Sequence, residues 1–198
     1  MRTRTIRPYQ QGELDGFCGL YSVINAVVVA VHWRSGDGGR ALLPVRRFDS
    51  RQVHQLFDGL SRRLLRSGVL STLDPALSAA VLSNLLRWTD EHLREHQRIR
   101  LIWSKPFHKR KDAPEATIAK CLRRHLKGPH TAVIVGYLEH WSVISSVSPK
   151  RFRLADSGGD LWIAIQRQDA KRCGVHLSDL WPTSTFLVRL APLQAGRA

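Results

Sequence analysis

Acidic residues are scarce in this 198-residue chain, where 16 Asp and Glu face 31 Lys and Arg, a formal net charge of +15 with His neutral. That balance excludes an acidic solvating protein, and an apolar share of 43% argues against a disordered basic tail. Cysteine is equally sparse. Cys18, Cys121 and Cys173 are an odd, widely spaced set, without the short paired spacings of a zinc site or the pattern of a secreted disulfide scaffold. A reduced, cytoplasmic compartment is expected. The longest oily run, Ile24 to Val31, contains Asn25 and falls well short of the ~20 residues that span a bilayer. The basic start, Met1 to Gln10, lacks the apolar stretch of a secretory signal. Neither membrane insertion nor export is expected. Ser35-Gly-Asp-Gly-Gly39 lacks the strand-to-helix setting, lysine and hydroxyl of a phosphate-binding loop, so nothing points to nucleotide-dependent catalysis.

What the chain does contain is a change of rhythm near Gly128. Before it, Cys18 to His32 is apolar on every side of a helical projection and predicts a buried central helix. Val53, Leu56, Phe57, Leu60 and Leu64 recur at helical spacing between Asp49 and Arg66, with arginines on the polar side. Asp74-Pro75 reads as the start of a helix running toward His96. Asp112 to Glu115 has capping-box spacing and opens a helix with Ile118, Cys121, Leu122 and His125 on one side. After Gly128-Pro129 come short β-rich runs: Thr131 to Leu138, Trp141 to Val147, Arg151 to Ala155, Leu161 to Ile165 and Thr185 to Leu190, with Ile99 to Trp103 as an earlier candidate strand. The expected class is α+β: a single domain over 1–198, with a helical lobe at about 1–128 packed on a mainly antiparallel sheet lobe at about 129–192.

Three residues in this frame carry chemistry. Cys18 opens the central helix, where unpaired backbone amides and the helix dipole favour a thiolate, and the flanking Gly16 and Gly19 allow close approach of a substrate. The alternative is that Cys18 simply fills core space. His140 begins one strand, and Asp156 follows it by sixteen positions at the end of the next, so a short turn near Ser148-Pro149 brings imidazole and carboxylate together. Such an Asp orients the imidazole and stabilises its protonated form. The competing readings are a His at a strand mouth and an Asp that belongs to the Asp-Ser-Gly-Gly turn.

Asp15-Gly-Phe-Cys18-Gly-Leu-Tyr-Ser-Val-Ile-Asn25-Ala, the upstream Gln10-Gln11, His140-Trp-Ser-Val-Ile and the Asp156 turn together resemble papain-like cysteine peptidases, in particular the bacterial bacteriocin leader-processing type. The chain order Cys, His, Asp is the order of that superfamily. The resemblance implies a two-lobed papain-like fold in which the helical lobe supplies the Cys and the sheet lobe the His and acid. It also implies hydrolysis of a peptide or isopeptide bond through a thioester, with Cys18 as nucleophile, His140 as base and acid, Asp156 as orienter and Gln11 as oxyanion donor. Gln11 lies seven positions before Cys18, slightly farther than the family has it, and Gln10 competes for the role. No metal or organic cofactor is implied. Asp15-Gly-Phe-Cys18-x-x-Tyr21 is also similar to the helix start of ovarian-tumour-type deubiquitinases, which keeps a ubiquitin-like substrate open beside an acidic polypeptide. Papain-fold acyltransferases and transamidases share the residue order.

Other signals read differently. Cys173, in Lys171-Arg-Cys-Gly174, is a second candidate nucleophile, but His176 nearby lacks an orienting group and reads as an ordinary loop residue. Cys121 reads as core. His92 and His96 have the i, i+4 spacing of metal ligands, yet the charges around them read as a solvated helix end. The cluster His108-Lys-Arg-Lys111, Arg123-Arg124 and the Arg-rich helix form a basic surface suited to phosphates, so a non-catalytic nucleic-acid-binding module is the rival class. Trp103 and Phe107 beside that cluster read as packing at a core edge rather than as base-stacking platforms.

Overall fold

The computed structural model describes residues 17–32, 43–44, 48–68, 78–137, 140–155, 162–165 and 174–193. Among them the chain is α+β, with four helices and a seven-stranded, mostly antiparallel sheet. The helices are α1 (Cys18–Val31), α2 (Ser50–Arg66), α3 (Ala79–Gln97) and α4 (Glu115–Leu126). The strands are β1 (Ile99–Ser104), β2 (Thr131–Tyr137), β3 (His140–Val147), β4 (Arg151–Leu154), β5 (Trp162–Ala164), β6 (Gly174–His176) and β7 (Leu180–Pro192), in the order β1-β7-β2-β3-β4-β5-β6. No helix among the described residues is long and apolar enough to cross a membrane.

Local chemistry sets most boundaries. The Asp49 carboxylate accepts from the Gln52 amide at 2.8 Å, and the Gln52 side chain accepts from the Asp49 amide at 2.9 Å, closing a capping box that starts α2. Val53, Leu56, Leu60 and Leu64 then form its buried stripe. The third helix starts at Ala79; Asp74-Pro75, expected to open it, lies outside the described residues. Ser78 Oγ accepts from the Val81 amide and so takes the N-cap. The capping box read at Asp112 to Glu115 does not form. Pro114 is extended, its carbonyl accepts from Thr117 and Ile118, and no side chain caps α4. Strand β7 is far longer than Thr185 to Leu190. It pairs with β1 on one side and β2 on the other, and Pro182, which suggests a break, falls where the β2 register slips between Val135↔Thr185 and Tyr137↔Leu180. There a missing amide leaves no ladder bond unmade.

The sheet is strongly curled. Strands β6 and β7 stand five inter-strand steps apart, ~24 Å in a flat sheet. Only a 3-10 turn, Leu177–Asp179, joins them, and four Cα steps reach at most ~14 Å. The far edge must therefore roll back toward β7. The curl divides the core in two. Ala132, Ile134, Trp141, Val143, Phe186 and Val188 face outward, toward the core that α1 and α3 build with α2 behind them. Val133, Val135, Tyr137, Ile144, Phe152 and Ile163 face into the curl, which α4 and Phe107 fill. The helices before Gly128 thus lie on both faces, α1 and α3 against the outer side with α2 packed on them and α4 within, while β1 from the same half pairs beside β7. Asp90 ties α3 to β1: one carboxylate oxygen accepts from the Leu101 amide at 2.8 Å, and the other pairs with Arg94 at 2.6 Å.

His125 fastens α4 to the sheet. Its Nε2 lies 2.8 Å from the Val188 carbonyl, and burial pushes the imidazole pKa below 6.5, only partly opposed by bonds to the Val188 and Ala132 backbone and aided by Arg189. The folded ring therefore stays neutral where the unfolded ring begins to bind protons. Stability from this site is complete above about pH 6.5 and falls as the pH drops below it. Urea midpoints between pH 5 and 8 should show that decline, and His125→Asn should flatten it; an unchanged slope in the variant would assign the decline to another group, such as His92, whose pKa burial and His96 also lower.

Candidate functional site

Helix α1 begins without a side-chain cap. Phe17 at its N-cap has φ −107° and offers no acceptor, and no acidic residue occupies the first turn, so among the described residues no side chain compensates the positive end of the helix dipole. Cys18 is the first helical residue and is only 2% exposed. One turn on, Tyr21 meets Phe57 of α2 with ring centroids 5.6 Å apart, and Asn25 is buried a further turn in.

The other end of α1 is pinned to the sheet: His130 Nδ1 lies 3.0 Å from the Ala30 carbonyl, just before β2 begins. From that anchor the helix runs back over β2 and β3. Cys18 is ~18 Å from Ala30 along the helix axis, and Tyr137 is ~23 Å from His130 along the strand. Both lengths carry the chain toward the same end of the helix–sheet layer. That end holds the β2–β3 hairpin, whose last pair is Tyr137↔His140.

His140, the first residue of β3, is half-buried, and its ring stands edge-on to Tyr137 at 5.6 Å between centroids. The register places His140 with Tyr137 on the inner face of the curl, whereas its neighbour Trp141 points outward with the α1 side of the core. This facing is invisible in the sequence, where the resemblance implies that His140 and Cys18 meet. Strand β4 ends beside the start of β3, with the Ala155 amide donating to the Val143 carbonyl at 2.7 Å. Asp156, the next residue, lies outside the described residues, as do Gln10, Gln11 and Cys173.

Two residues that sequence reasoning misses line the same inner face. Ser142 and Thr185 stand on either side of Val135 in the ladder, buried to 1% and 0% exposure. Their hydroxyls have no hydrogen-bond partner among the described residues. The available signal is Ser142 two positions after His140, hence on its face, within otherwise apolar strands.

The remaining candidates resolve as structure. His176 is not a loop residue but the end of β6. Its Nδ1 accepts from the Ser178 amide at 3.1 Å, and its own amide donates to Asp179 at 2.7 Å. Cys121 is half-buried at the margin of the inner core, where burial pushes the thiol pKa up and Arg124 partly opposes it. The His92 and His96 rings lie 4.5 Å apart, but no group of three or more metal-capable side chains occurs among the described residues. Trp103 packs against the outer core and Phe107 within the inner one, as expected of core-edge aromatics. No protein-family model matches the chain, and no curated protein matches its sequence.

Proposed function

We propose that the protein is a papain-like thiol hydrolase of the leader-processing type, cleaving a peptide or isopeptide bond with Cys18, His140 and Asp156. The observation that carries this reading is the shared end of the layer: Cys18 opens α1 where His140 opens β3. The separate cores on either side of the curled sheet support a two-lobed reading. In this reading the imidazole reaches over the rim of the curl to the thiol. His140 takes the Cys18 proton, the sulfur attacks the carbonyl carbon, and Gln11 with the Cys18 amide receives the oxyanion. The protonated imidazole, held by Asp156, gives its proton to the leaving amine as the C–N bond breaks. Water, deprotonated by the same ring, then hydrolyses the thioester. Among the described residues Cys18 and Cys121 are free thiols, which leaves the Cys18 sulfur available as a nucleophile.

The test is competitive labelling with mass mapping of all three cysteines. A peptidyl acyloxymethyl ketone should modify Cys18 ahead of Cys121 and Cys173, and His140→Ala should slow that reaction by about a hundredfold. Iodoacetamide, which also reacts with the thiolate, should be slow at Cys121, whose pKa burial raises, and faster at Cys18 if His140 draws off its proton. Equal labelling of Cys18 by the ketone with and without His140 would remove the base from the mechanism.

A further inference from the structure

The outer side of α4, with Ile165 and Leu177 beyond it, lines a groove enclosing about 920 Å³. Its rim is cationic. Lys120, Arg123, Arg124 and Lys127 stand at i, i+3, i+4 and i+7, a continuous stripe ~10 Å long. Glu115 is the single acid in the lining among the described residues. Arg123 donates to the Pro149 carbonyl at 2.8 Å, and none of the four cations forms an ion pair among the described residues. The described ion pairs lie instead on α2 and α3. Beneath the rim the floor is apolar, built by Ala116, Ala119, Ile165 and Leu177.

We infer that this groove docks an acidic segment of a polypeptide in which apolar side chains alternate with carboxylates. The two halves of the lining select that chemistry together. Carboxylates meet the rim cations, and apolar side chains two positions apart on an extended chain, ~7 Å, seat on the floor. A small free anion engages the rim alone and leaves the floor wet. A nucleic-acid strand supplies phosphates, but among the described residues the lining holds no aromatic ring on which a base could stack. The assignment concerns binding only and stands whether or not Cys18 is a nucleophile.

Fluorescence anisotropy with a short fluorescein-labelled peptide of alternating Glu and Leu, at low salt, tests it on the full chain. Lys120→Glu/Arg124→Glu should weaken binding by about tenfold or more, since each reversal replaces attraction with repulsion. Ala116→Trp, at an exposed lining position, should weaken it by about fivefold by filling the groove without changing charge. Arg62→Glu/Arg66→Glu on exposed positions of α2 makes the same charge change elsewhere and should leave affinity within about twofold. Circular dichroism checks that each variant folds. The inference is overturned if the α2 pair weakens binding as much as the α4 pair. It is overturned also if the peptide does not bind saturably, or if an oligothymidylate of equal charge binds more tightly and Ala116→Trp blocks it.

Discussion

Cys18→Ala is expected to lower hydrolysis of peptidyl aminomethylcoumarin amides by at least about a thousandfold while leaving the fold intact, because no other group takes over the covalent step. Stability should barely change. The side chain is 2% exposed within the outer core, and replacing its sulfur by hydrogen removes one heavy atom from a helix position that alanine favours. The two readouts therefore separate. A Cys that merely fills space loses little activity when truncated, whereas a nucleophile loses nearly all of it at unchanged urea midpoint. Full turnover by the folded variant would dismiss the proposed chemistry outright. Addition of an amine acceptor to the wild-type reaction, with product masses read out, distinguishes hydrolysis from acyl transfer.

The helices are legible because their signals are local. The stripe Val53, Leu56, Leu60, Leu64 needs only a period of 3.6, and the Cys18 helix needs only its length. Hidden features depend on distant partners. Strand β6 has three residues and pairs in parallel with β5, so no hairpin turn announces it. The curl follows from a three-residue crossover between strands whose separation no local pattern encodes. At the site, the position of Cys18 and His140 at element starts is readable, since a change of hydrophobic rhythm and flanking Gly and polar residues mark starts. Their facing is not, because one residue of register decides which side of a sheet His140 occupies, and that register is set by Tyr137 and the β2 ladder. Ser142 and Thr185 escape notice for the same reason: a hydroxyl in a β-rich run carries no message until both neighbouring strands are placed.

Gly136 makes that dependence measurable. It lies one residue before Tyr137 and pairs with Trp141, so it adjoins the residue that follows His140. A Cβ built there would stand 2.9 Å from Ser184 Cβ and 3.4 Å from ring atoms of both Trp141 and Trp181. The first contact is between atoms fixed by their backbones, so β2 and β7 must part or the tryptophans must turn. Gly136→Ala gains ~0.5–1 kcal/mol by restricting the unfolded chain, but overpacking of this kind costs ~1–3 kcal/mol and should win. A net loss of about 1–2 kcal/mol is expected in urea unfolding. Ser184→Gly removes the colliding atom, so the double variant should recover most of that loss, a coupling that a double-mutant cycle reads directly. If Gly136→Ala proves neutral, or if Ser184→Gly rescues nothing, the close approach of β2 and β7 at the His140 end of the sheet is wrong. Turnover adds a second reading. Displacing Trp141 also moves the adjacent His140, so Gly136→Ala should lose activity under conditions where it is fully folded, and adding Ser184→Gly should restore turnover together with the stability.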